Sequence, residues 1–173
     1  MQRKTYKVAG TNARRVDGVE KVTGKAVYTS DIQLAGMAHA RILRSPVAHA
    51  RLVKVDASKA RELPGVITTL TRDDIKGFNY KYGATYKDQS IVAVDKVRYV
   101  GDPLAAVLAD DPATAEQALE LIEVEYDELP RVTNIEEATA PGAVQVHEGG
   151  VARAELRGST YGAPERFNGT NIC

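Results

Sequence analysis

Three histidines, His39, His49 and His147, and a single cysteine, Cys173, are the residues of this chain best suited to metal binding or nucleophilic chemistry. An imidazole serves as general base or metal ligand and a thiolate as nucleophile, but each needs a partner at a set spacing. None of the histidines stands at ligand spacing from another metal-binding type. His39 and His49 fall on neighbouring predicted strands and could meet across a sheet, yet two ligands are too few for a closed structural zinc, so they read as an ordinary cross-strand pair. One cysteine excludes an internal disulfide and a cluster held by four thiolates of this chain, which places any redox metal centre elsewhere. Glu123, Glu125, Asp127 and Glu128 have the type needed for acid-base work, but on the polar side of one strand beside an acidic helix they read as a solvated face. Tyr80, Tyr82 and Tyr86 could stack on a ligand or partner; covering a core edge is the commoner use and the one expected. No G-x-G-x-x-G, Walker lysine loop, G-x-S-x-G elbow or H-E-x-x-H is present, so nucleotide-binding and zinc-hydrolase readings lose their usual support. Residue types alone yield no active site.

The elements are better specified than the chemistry. In "KVRYVGDPLAAVLADDPATAEQALELIEVEYDEL" (96–129), Val97 and Tyr99 begin an extended run and Gly101-Asp102-Pro103 turns it. "LAAVLA" (104–109) is apolar throughout, as a central strand buried on both faces is. Asp111 is placed to cap a helix with Pro112 at its first position, and Ala115, Ala118, Leu119 and Ile122 form one stripe. The period then drops to two, with Ile122, Val124 and Tyr126 alternating against Glu123, Glu125 and Asp127 until Pro130. Strand, helix, strand follows, with a right-handed crossover if the strands are parallel neighbours.

Upstream, "MAHARILRS" (37–45) and "HARLVKVDA" (49–57) read as two strands joined by a turn at Ser45-Pro46. "DASKARELPG" (56–65) has the outline of a short helix capped by Asp56 or Ser58 and stopped by Pro64-Gly65, and "VITTLT" (66–71) is a β-branched strand. Asp73 and Asp74 suit a helical turn, 77–90 reads as a loop, and 134–144 as a short turn of helix ended by Pro141-Gly142. Residues 1–36 are polar, with only "KAVYTSDI" strand-like, and 151–173 show almost no apolar periodicity.

Hydrophobic residues make up 43% of 173, enough for one domain with a substantial core. The formal net charge is zero, which gives no global electrostatic reason to expect nucleic acid or an anionic membrane. From residue 1 to 60, twelve Lys or Arg stand against four Asp or Glu, whereas from 110 to 140 only Arg131 offsets ten acids. Two solvated faces attracting each other across the fold is one reading of this asymmetry, and a docking surface for a charged partner the other. No apolar run approaches the ~20 residues of a bilayer span, and "MQRKTYKVAG" lacks the apolar core of a secretory signal, so a cytoplasmic location is expected.

Four stretches, "RVDGVEKVTGKAVYTSDI" (15–32), "RILRSPVAHARLVKVDASKARELPGV" (41–66), "DKVRYVGDPLAAVLADDPATAEQALELIEVEYDELP" (95–130) and "NIEEATAPGA" (134–143), carry a resemblance. In order and spacing they are similar to the start of the large subunit of molybdenum hydroxylases, the xanthine dehydrogenase, aldehyde oxidase and aerobic carbon monoxide dehydrogenase family. Val47 in "SPVAHAR" departs from the bulky or aromatic residue that relatives often have there. The resemblance implies an α+β fold, the family's hammerhead domain, with a mixed sheet and a strand-helix-strand unit at about 97–129. It further implies an arm over 1–14, the hammerhead over 15–148, and a linker over 149–173 leading towards a missing molybdopterin-binding domain.

For the whole enzyme the resemblance implies hydroxylation of an aromatic heterocycle or aldehyde, or oxidation of carbon monoxide, with water as oxygen source. The cofactors implied are molybdopterin, iron-sulfur clusters and FAD, none bound by this segment, and the partners implied are the downstream molybdopterin-binding domain and iron-sulfur and FAD subunits or domains. No position matches the family's glycine-rich pterin-binding motif or its catalytic glutamate, so no catalytic, cofactor-binding or metal residue is carried over. Gly101, Asp102 and Pro103 are then a structural motif, Gly101 allowing a tight or positive-φ turn and Pro103 fixing entry into the strand. A scaffold that is inactive alone is expected; a free-standing adaptor for a separately encoded molybdenum-binding subunit is the alternative, and a small enzyme around His39, His49 and the tyrosine loop a third. A surface normally buried against a larger domain would leave an apolar patch, self-association into a homo-oligomer, or a disordered tail beyond about residue 150.

Overall fold

The computed structural model describes residues 10, 12, 14–78, 81–83 and 89–147. The chain divides into two compact units, Met1–Met37 and Ala38–Cys173.

In the first unit no described residue is buried. Among its described residues an α-helix, α1 (Gly18–Val22), follows Asp17, whose carboxylate pairs with Arg15 at 2.7 Å and Lys21 at 2.5 Å. "KAVYTSDI", expected to be strand-like, instead folds back on itself. The Asp31 carboxylate accepts the Tyr28 N–H at 2.9 Å and closes a 3-10 turn over Thr29–Asp31. A short acidic side chain competing for a nearby backbone donor accounts for the difference.

The second unit begins with strands β1 (His39–Arg44) and β2 (Ala50–Asp56), helix α2 (Ser58–Arg61), strand β3 (Val66–Leu70) and helix α3 (Arg72–Ile75). Three two-residue strands follow, β4 (Lys81–Tyr82), β5 (Gln89–Ser90) and β6 (Lys96–Val97). Then come β7 (Pro103–Ala109), α4 (Pro112–Glu120), β8 (Glu123–Glu128) and α5 (Ile135–Thr139). The segment expected to be a loop over 77–90 thus contains a small hairpin, pairing Lys81 with Ser90 and Tyr82 with Gln89.

One sheet has the order β1-β7-β3 and the other β6-β2-β8. Among the described residues every strand pair is antiparallel, so the α+β class holds while the expected mixed sheet is corrected to antiparallel ones. The reason lies in α4, which carries the chain from β7 in the first sheet to β8 in the second. There β8 runs against β2, from Asp56 opposite Glu123 to Ala50 opposite Glu128. β7 and β8 are not neighbours, and the crossover rule for parallel pairs has nothing to act on.

β7 is the central strand of its sheet, with Leu104, Ala105, Val107 and Ala109 buried. The helix after it is built as its sequence dictates. Asp111 accepts from the N–H groups of Ala113 at 2.9 Å and Thr114 at 3.0 Å, and Pro112 stands at the first turn, where a missing donor costs nothing. Its apolar stripe buries Ala115 and Ala118, and Ile122 beyond its end, while Leu119 is half-buried. Ala118 and Ile122 meet Leu52 and Val55 of β2, Val97 of β6 and Leu104 and Val107 of β7 in one core cluster. Fully burying each Val or Leu there contributes roughly 1.5–3 kcal/mol.

β2 is irregular, its register against β8 shifting between Leu52 and Lys54. Arg72 compensates. Its guanidinium donates to the carbonyl oxygens of Leu52 at 2.5 Å, Val53 at 2.8 Å and Val94 at 3.3 Å. A capping box fixes the segment that carries it, the Asp74 carboxylate accepting the Thr71 N–H at 2.7 Å.

Candidate functional site

The Gly101-Asp102-Pro103 turn lies where the two sheets' connections meet. Gly101 has φ +97°, in the left-handed region, and a Cβ there would have nothing within 4 Å, so conformation rather than crowding calls for glycine. The turn is bound to Ser45 by a reciprocal backbone pair. Gly101 N–H donates to Ser45 O at 2.8 Å, and Ser45 N–H donates to Asp102 O at 2.9 Å. Arg44 adds a bond from Nη1 to the Gly101 oxygen at 2.9 Å. Pro103 opens β7, and its carbonyl accepts the Ala93 N–H at 2.7 Å.

Asp102 itself is buried, and its Oδ2 accepts the Arg98 N–H at 3.0 Å. Burial raises its carboxyl above the ordinary value, opposed by that N–H and by the Arg98 charge. Asp102 and His147 line a cavity of about 220 Å³. A second cavity, of about 230 Å³, is lined by His49, Arg131 and the valines Val100, Val132 and Val144. Arg98, Tyr99 and Val146 line both.

The residues singled out for chemistry are dispersed. His39 stands opposite Ala109 in the β1-β7-β3 sheet, whereas His49 precedes β2 in the other, so they form no cross-strand pair. The separation arises at Ser45, whose attachment to the Gly101-Asp102 turn ends β1 before the chain enters the second sheet. Glu123 is held by Lys59 at 2.5 Å and Lys54 at 3.3 Å, and the Lys59 hydrogen bond leads in lowering its pKa. Glu125, Asp127 and Glu128 are exposed, as a solvated face requires. These pairs, with Arg41 to Glu116 at 3.1 Å, tie the basic early segment to the acidic later one within the second unit. Tyr82 is 51% exposed and covers no core edge; Tyr80, Tyr86 and Cys173 lie outside the described residues, as does the segment beyond 147.

Among the described residues no three His, Cys, Asp or Glu side chains come together to hold a metal, and no helix is long and apolar enough to cross a membrane. Among the described residues, His49 Nε2 is buried and has no hydroxyl, thiol or carboxylate as hydrogen-bond partner. What the geometry offers is a rigid turn flanked by two small cavities with guanidinium and imidazole groups on their walls. Neither the shared cavity of His49, Arg98 and Arg131 nor the bracing by Arg72 was expected from the sequence. No local pattern signals either, because separate segments supply each residue.

A family model described as "Aldehyde oxidase and xanthine dehydrogenase, a/b hammerhead domain" matches residues 23–130. The chain is 43% identical over 136 residues to a protein of Bacillus subtilis named as a probable xanthine dehydrogenase subunit, covering 79% of this chain and 18% of that protein. It is 39% identical over 145 residues to the xanthine dehydrogenase molybdenum-binding subunit of Escherichia coli O157:H7, covering 79% and 19%. Its fold matches reconstituted CO dehydrogenase from Oligotropha carboxidovorans with TM-score 0.71 at 37% identity, covering 78% of this chain and 17% of that one. The chain thus spans less than a fifth of the length of each of these relatives. With its antiparallel sheets, its helix between β7 and β8 and this match across most of its length, the chain belongs to the aldehyde oxidase and xanthine dehydrogenase a/b hammerhead domain family.

Proposed function

We propose that this chain is the scaffold domain of the large subunit of a molybdenum hydroxylase. The reaction of the whole enzyme is hydroxylation of an aromatic heterocycle or aldehyde, or oxidation of carbon monoxide, with water as oxygen source. The observation that carries this reading is the 39% identity over 145 residues to a subunit named as the molybdenum-binding one of xanthine dehydrogenase. A molybdopterin centre supplies two-electron oxidation, with electrons leaving through iron-sulfur clusters and FAD. No step of the reaction is assigned to the described residues. Their part is mechanical: the Gly101-Asp102 clamp, the Arg72 brace and the capped α4 hold two sheets rigid against a molybdopterin-binding domain, with iron-sulfur and FAD modules as further partners. The cytoplasm is the proposed setting.

The test is turnover in ¹⁸O-labelled water by the native assembly, captured from source cells with an antibody against residues 95–130. Label in the new oxygen of a hydroxylated heterocycle, which does not exchange with bulk water as the oxygens of an aldehyde hydrate or of carbon dioxide do, is the expected result. Product without label, or turnover by the 173-residue chain alone, would overturn the reading.

A further inference from the structure

Strand β7 reads "PLAAVLA", a run without a polar side chain, as in a strand covered on both faces. The structure covers one of them. In the registers with β1 and β3, Ala105, Val107 and Ala109 share a face with Arg41, Leu43 and Thr69. On that face Arg41 reaches Glu116 of α4, and Ala105, Val107 and Ala109 are at most 1% exposed. The opposite face holds two rows of side chains. Ala40, Leu108 and Thr68 form one, and Ile42, Ala106 and Leu70 the other. Leu104, at the start of β7 on that face, is buried, but Ile42 is 45% exposed, Ala40 and Thr68 are exposed, and Ala106, Leu108 and Leu70 are only half-buried. None of the six carries a charge, whereas the open face of an antiparallel sheet that meets water is ordinarily polar.

A cover for this patch must be aliphatic and uncharged, since a charge set against it would lose water and gain no partner. Three strands about 4.8 Å apart and two rows about 7 Å apart give roughly 200 Å² per copy. A second copy seated face to face would therefore bury on the order of 400 Å², short of the 1,200–2,000 Å² or so of a stable interface between separate molecules. A segment of the same polypeptide needs no such area, because the linkage gives it an effective concentration of about millimolar. The relatives leave ample chain for such a segment, since this one spans 18% and 19% of the two xanthine dehydrogenase subunits. We propose that this patch is the docking surface for an aliphatic stretch of the molybdopterin-binding domain, carried on the same polypeptide. The inference rests on the scaffold reading and deepens it, assigning the face by which the scaffold holds that domain.

The experiment places a photo-crosslinking amino acid at Ile42, and separately at Thr68, in the polypeptide at its native length, and maps the products by mass spectrometry of the native assembly. Both positions are exposed, so neither replacement disturbs the core. They stand at opposite edges of the patch, about 10 Å apart. Both are expected to link to one aliphatic stretch of that polypeptide outside the 173 residues. A link to the same patch of a second copy, a link to a separate iron-sulfur or FAD subunit, or reaction with solvent alone at both positions would each overturn the docking surface and leave the scaffold reading standing. Failure of the scaffold reading shows separately, as a native polypeptide no longer than 173 residues, which overturns both.

Discussion

At Asp102 a carboxyl group is kept in the interior, where its Oδ2 accepts one backbone N–H. Because burial raises its folded-state pKa above the unfolded value, the native chain binds this proton more tightly. The stability it contributes is therefore full below the ordinary carboxylate range and declines as pH rises through it towards the raised folded value. Asp102→Asn keeps an acceptor for Arg98 and removes the charge. Urea denaturation should find it at least as stable as the parent at neutral pH, with the decline above about pH 4 flattened. Asp102→Ala strands the Arg98 N–H and should lose about 1–3 kcal/mol. Arg72→Met should lose on the order of 2 kcal/mol, since carbonyls of Leu52 and Val53 lose their charged donor at the irregular point of β2. A loss near zero in the same measurement would show the brace to be idle. Asp102 was legible as part of a turn because Gly-Asp-Pro is a local signal. The role of Arg72 was not, because the irregularity it braces arises from pairing with β8.

Helix α4 was readable almost to the residue, since its cap, first-turn proline and apolar stripe all lie within a dozen positions. Asp111→Ala should lower stability by about 0.5–2 kcal/mol in thermal or urea melts, and Asp111→Ser should restore most of it. The lowered pKa of Asp111, caused first by the Thr114 hydroxyl, means that its contribution is present above the ordinary carboxylate range and fades as pH falls through its folded value. β7 was readable as a central strand from its unbroken apolar run. Its partners were not, because periodicity shows which face is buried but not which strand is adjacent. That gap produced both the expected mixed sheet and the expected His39–His49 pair. β4 and β5 are two residues each, too short for any period to register.

For the molecule as a whole, the charge asymmetry resolves in part into ion pairs inside the second unit, between Arg41 and Glu116 and from Lys54 and Lys59 to Glu123. These pairs are exposed, so they add little stability and are screened by salt. Family membership was legible because the matching stretches are those that build β2, β7, α4 and β8. The role proposed for this domain is to position a molybdenum centre held by other segments. The measurement that tests it most directly is molybdenum content, by elemental mass spectrometry, of two samples. One is the native polypeptide captured from source cells with an antibody against residues 95–130; the other is the purified 173-residue chain incubated with the cofactor. The account predicts molybdenum in proportion to polypeptide in the first and none retained in the second; molybdenum absent from the native material, or held by the isolated chain, would contradict it.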